Sequence, residues 1–106
     1  MNKKSSANTI FLVDDQKITN FINKKLIMLC DNSITVCDFV DPSEALTQIN
    51  EENPDLILLD LNMPDISGWD FLEKMENFNL KTNVIIVTSS TSPLDSERAK
   101  NFENVV

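Results

Sequence analysis

At 106 residues, 42% hydrophobic and 25% charged, the chain suits one globular domain, able to bury roughly two thirds of the surface its unfolded form exposes. A net charge of −8 and a pI near 4.3 repel nucleic acid phosphates and anionic lipid, leaving cations and basic protein patches as expected partners. With no His and a single glycine, Gly68, the chain can hold neither Ser-His-Asp nor Cys-His machinery, and neither a G-x-G-x-x-G nor a Walker A loop.

Residues 1–8 are expected to be a flexible tail ahead of a domain over 9–106. Lys3 and Lys4 precede too short an apolar run for a signal sequence, and no run approaches the roughly 18 apolar residues of a membrane span. Cys30 and Cys37, set among apolar neighbours and too far apart for C-x-x-C, predict buried reduced thiols and a cytoplasmic protein.

Thr9-Ile10-Phe11-Leu12-Val13 predicts a buried strand that ends on Asp14-Asp15. From Lys17 to Leu29, Ile18, Phe21, Ile22, Leu26 and Leu29 recur at helical spacing. They predict an amphipathic helix with this stripe in the core and Lys17, Asn20, Asn23, Lys24 and Lys25 on the opposite face. Ile34 to Val40 reads as a second strand. Asp41-Pro42-Ser43-Glu44 then supplies an N-cap, a Pro at the first helical position and an acid at the third. Ala45, Leu46 and Ile49 give that helix its buried stripe, and Asn53-Pro54 ends it.

Leu56-Ile57-Leu58-Leu59 is too short for a free helix and does not alternate, as expected of a strand covered on both faces; it ends on Asp60. Met63-Pro64 and Ser67-Gly68 mark a loop and then the start of a helix through Trp69, Leu72 and Met75 towards Phe78. Val84-Ile85-Ile86-Val87 is another apolar strand, running into Thr88-Ser89-Ser90-Thr91. Ser92-Pro93 opens a helix through Leu94, Ala99 and Phe102, and Val105-Val106 reads as the start of a further strand, cut short. Strands alternating with helices predict an α/β fold: a parallel sheet with right-handed crossovers and helices on both faces.

That topology brings Asp14, Asp15, Asp60 and Thr88 to the carboxyl edge of the sheet, where ligands bind in such folds. Clustered carboxylates disfavour their own ionisation unless a cation neutralises them. Oxygen donors without His or thiolate point to a hard ion, Mg²⁺ before Ca²⁺. A carboxylate so placed can attack a phosphoryl group, making Asp60 a candidate for an aspartyl phosphate, and the Thr88 hydroxyl could then bond a new phosphoryl oxygen and act as a switch.

These residues resemble the receiver domains of two-component response regulators. D-D at Asp14-Asp15, D-x-x-M-P-x-x-x-G from Asp60 to Gly68 and the strand-end Thr88 match in order and type, over nearly the whole chain. The resemblance implies Asp60 as phosphoacceptor and a Mg²⁺ site of Asp15, Asp60, the backbone carbonyl of Asn62 and, largely through water, Asp14. It implies a flavodoxin-like, doubly wound sheet in strand order 2-1-3-4-5 between two helical layers. Met63, Ser89 and Ser90 are expected to border the phosphoryl pocket.

The implied partners are a sensor histidine kinase or histidine phosphotransfer protein, docking on the helix after Asp15, and an output partner or effector domain, met around the helix from Pro93. Receivers also carry a Lys at the end of the fifth strand. The sequence stops at Val106 before that position, and Lys100 falls in the preceding helix pattern. Two other functions use similar parts. A haloacid-dehalogenase-like phosphatase needs a second acid where Asn62 stands, and a receiver-like module that only binds partners would have no need of the acid cluster.

Overall fold

The computed structural model describes residues 8–63, 66–87 and 93–106. Of the expected tail, residues 1–7 lie outside that range, and the carbonyl of Asn8 accepts from the Thr35 N–H at 2.8 Å. The elements in chain order are β1 (Thr9–Val13), α1 (Lys17–Cys30), β2 (Thr35–Phe39), α2 (Pro42–Glu52), β3 (Leu56–Asp60), α3 (Gly68–Asn77), β4 (Asn83–Val87) and α4 (Pro93–Ala99). Phe102, expected within the last helix, follows its end and packs back into the core.

All strand pairings are parallel, in the order β2-β1-β3-β4. The crossover from β1 to β2 steps one way along the sheet and those from β2 to β3 and from β3 to β4 step the other. Right-handed connections therefore place α1 on one face and α2 and α3 on the opposite face. Next to β4 a further strand position begins. Val105 bridges Val84 in parallel, with Val84 N–H donating to Asn104 O at 2.8 Å and Val106 N–H donating to Val84 O at 2.9 Å.

The helix starts follow local chemistry. Asp41 accepts from the Ser43 N–H at 2.9 Å and Pro42 opens α2, while Asn53 closes it in the left-handed conformation at φ 51°. Ser67 and Asp70 form a reciprocal capping box at the start of α3. The main core lies between the sheet and α2 and α3. Phe11, Val13, Ile57, Leu59 and Val84 come from the strands, Ala45, Leu46 and Ile49 from α2, and Phe71, Leu72 and Met75 from α3.

The α1 face differs from the sequence expectation. The apolar stripe is turned outward, from Ile18 at 71% exposed to Leu29 at 83%, with Phe21, Ile22 and Leu26 also exposed. The single buried residue of the helix is Asn20, which the sequence pattern assigned to the polar face. Helical spacing establishes which residues share a side, but not which side meets the sheet. Here α1 contacts β1 and β2 alone among the major element pairs, and its stripe is uncovered among the described residues. Ile85 at 38% and Val87 at 42% are exposed on the same face of the sheet, so β4 is covered on one side, not both. Cys30, at the exposed end of α1, and the half-buried Cys37 are both free thiols, not the buried pair expected.

Gly68 is required by a close approach. Its N–H donates to Leu61 O at 3.0 Å, and a Cβ on it would stand 2.8 Å from Asp60 O and from the Leu61 Cα. The start of α3 is thus pressed against the end of β3. Gly68→Ala should lower stability by about 1–3 kcal/mol in urea unfolding, because backbone must move, although Ala is the better helix former.

Candidate functional site

The β1/β3 register sets the site. Val13 pairs with Leu59, so the residues that follow, Asp14 and Asp60, leave the sheet side by side at its carboxyl edge, where the crossovers diverge to opposite faces. One carboxylate oxygen from each of Asp14, Asp15 and Asp60 lies within 4.8 Å of the others, and all three residues are half-buried.

Backbone groups hold two of them. Asp14 Oδ1 accepts from the Gln16 N–H at 2.9 Å, and Asp60 Oδ1 accepts from the Asn62 N–H at 3.2 Å. Asp15 Oδ1 is buried and lacks a hydrogen-bond partner. Burial raises the carboxyl of Asp60 above the ordinary Asp value, and the neighbouring Asp15 charge adds to it; the N–H groups of Asn62 and Leu61 oppose both. Asp14 is raised by burial too, against the Gln16 hydrogen bond, with further lifts from the charges of Asp60 and Asp15. An orphaned buried carboxylate oxygen, two carboxyls biased towards protonation and an all-oxygen donor set fit a hard divalent cation.

Of the other residues expected here, Asn62 is exposed on the loop after Asp60. The Met63 side chain is buried in the main core, so only its backbone is left to border the pocket. Val87 pairs with Asp60 across β3 and β4, while Thr88, Ser89 and Ser90, next in sequence, lie outside the described residues. Trp69 is buried at the start of α3, with its ring 6.1 Å from that of Phe102 and the Arg98 guanidinium 4.8 Å from its centroid.

Sequence reasoning missed Asn20. Its Nδ2 donates to Asp14 O at 3.0 Å and to Phe39 O at 3.2 Å, tying the end of β1 to the end of β2 beside the acids. The helical pattern carries no signal for it: Asn20 is the one residue of the polar face that is buried.

The family model described as the response regulator receiver domain matches residues 10–104, and the chain belongs to that family. The nitrate/nitrite response regulator protein NarL of Escherichia coli (strain K12) is 30% identical over 87 residues, 82% of this chain and 40% of that protein. A protein-glutamate methylesterase/protein-glutamine glutaminase of Ralstonia nicotianae is 32% identical over 97 residues, 92% of this chain and 25% of that protein. The chain therefore spans two fifths or less of these relatives. Among solved structures, the chemotaxis protein CheY4 of Vibrio cholerae superposes with a TM-score of 0.81 at 25% identity, covering 93% of this chain and 82% of that one.

The raised carboxyls have a consequence for stability. A folded-state pKa above the unfolded value means that the folded protein binds more protons, so the contribution of Asp14 and Asp60 is largest at acid pH and is lost as pH rises through and above the ordinary carboxylate range. Without divalent metal at neutral pH, Asp60→Asn and Asp14→Asn should each unfold at higher urea than the parent. The gain should be at most about 1 kcal/mol, since solvent screens half-buried charges. It should shrink as pH is lowered towards 4 and when Mg²⁺ is added.

Proposed function

We propose that this receiver domain takes a phosphoryl group onto Asp60 from a histidine kinase or histidine phosphotransfer protein, and that the resulting aspartyl phosphate alters which partners it binds. The observation that carries this reading is the gathering of Asp14, Asp15 and Asp60 at one sheet edge, with their oxygens within 4.8 Å. Asp15, Asp60 and the Asn62 carbonyl would hold Mg²⁺, with Asp14 beside them acting largely through water. When bound, the ion supplies positive charge that keeps the carboxylates ionised and offsets the charge of the phosphoryl oxygens.

The chain's own part in the transfer is to present an ionised, oriented carboxylate. The Asn62 N–H holds Asp60 Oδ1, leaving the other oxygen to form the new P–O bond. The P–N bond to the donor imidazole breaks as it forms, and its electron pair leaves with the imidazole, which takes up a proton. Thr88 is proposed as the hydroxyl that bonds the new phosphoryl oxygen, with Ser89, Ser90 and the Met63 backbone bordering it. The domain acts as a signalling phosphoacceptor and not as a turnover enzyme.

Partner contacts are proposed on both sides of the pocket. Lys17, Lys24 and Lys25 of α1 would face the phosphohistidine donor, and α4 and its surroundings would face the output partner. The composition of this segment disfavours nucleic acid, and among the described residues no helix is long and apolar enough to cross a membrane.

Incubation with acetyl phosphate and Mg²⁺ should give a hydroxylamine-sensitive acyl phosphate on the parent protein. Asp60→Asn should abolish it, and Asp15→Asn should reduce it at least tenfold. Labelling that survives in Asp60→Asn, or that proceeds equally with chelator present, would contradict the assignment.

A further inference from the structure

Asn20 occupies the one buried position of α1, at the close of the first turn after the acids, its N–H donating to Gln16 O. It is fully buried. An apolar side chain would be expected there on stability grounds, since the chain has instead enclosed a carboxamide whose Oδ1 has no hydrogen-bond partner. Leaving such an acceptor buried and unmet is destabilising. A fully satisfied structural amide would not incur that cost, so the other end of the side chain must explain the residue.

That end makes two hydrogen bonds, and their positions are specific. The bond to Asp14 O holds the carbonyl of the Asp14–Asp15 peptide, and a peptide is planar, so the N–H and Cα of Asp15 are placed with it. The bond to Phe39 O anchors the same carboxamide to the last residue of β2, whose carbonyl also accepts from the Asp14 N–H at 3.1 Å. Both ends of the Asp14 residue are therefore tied to one point of the neighbouring strand. The force to be resisted is plain: carboxylates of Asp14, Asp15 and Asp60 repel one another, and Asp15, alone of the three, has a buried oxygen with no donor to hold it.

We propose that Asn20 is a positioning residue of the acid pocket, its carboxamide clamping the Asp14–Asp15 peptide against the end of β2 so that the carboxylates stay at the spacing a divalent cation needs. The inference rests on the Mg²⁺ reading above and adds to it the part that holds the ligands in place.

The test is a Mg²⁺ titration of the 106-residue protein, followed by amide proton–nitrogen NMR, on the parent, Asn20→Leu and Asn20→Ser. Leu matches the shape without a donor; Ser keeps one donor. The same spectra report whether each variant is folded. In the parent, amides around Asp14, Asp15 and Asp60 should shift on saturation. Asn20→Leu should weaken the Mg²⁺ dissociation constant about tenfold or more, the scale for losing a group that orients a metal ligand. Asn20→Ser should lie between, while core amides such as Ile57, Phe71 and Met75 keep their positions. A parent without Mg²⁺ response would overturn the reading and the proposal together. A responsive parent with variants of equal affinity would overturn the proposal alone. So would weakening accompanied by shifts throughout the core, or loss of fold in both variants, because Asn20 would then serve general stability. Should Asn20→Leu alone fail to fold, the affinity of Asn20→Ser decides.

Discussion

The register between β1 and β3 is the constraint on which the rest depends. Val13 lies opposite Leu59 and Phe11 opposite Ile57, and all four side chains are buried in one core. A slip of one residue would turn these side chains to the other face of the sheet. Apolar packing thus decides where Asp14 and Asp60 emerge, and it places them together although like charges resist it. Gly68 adds a second constraint by bringing the start of α3 against the Asp60 carbonyl and the Leu61 backbone.

The two faces of the sheet are unequal in how well sequence pattern described them. Strands were legible because short apolar runs ending on Asp14-Asp15, Asp60 and Thr88 have few alternatives, and α2 because Asp41-Pro42 states its own start. The acid cluster followed from parallel topology alone. Helix α1 was legible as a helix and misread in orientation. Its stripe of Ile18, Ile22, Leu26 and Leu29 has the periodicity of a core face, and periodicity carries no information about what stands opposite. Phe102 falls outside the last helix for a related reason: spacing extends a helix until chemistry stops it, and no proline or glycine marks the end at Ala99.

Asn20 was illegible for a deeper reason. An Asn within a helix pattern is ordinarily solvated, and its burial here is a tertiary fact, created when α1 turns that side towards the ends of β1 and β2. Polar groups buried next to a cluster of like charges stand apart from those that merely complete a core. Where such a group orients a metal ligand, its loss is read in metal affinity.

The central claim is that the three carboxylates form a single divalent cation site that serves Asp60. The most direct measurement is the anomalous diffraction of Mn²⁺, standing in for Mg²⁺, in crystals of this protein. The account predicts one dominant peak between Asp15 and Asp60, within about 2.2 Å of a carboxylate oxygen of each and of the Asn62 carbonyl. A dominant peak elsewhere, or none at this edge at saturating Mn²⁺, would contradict it.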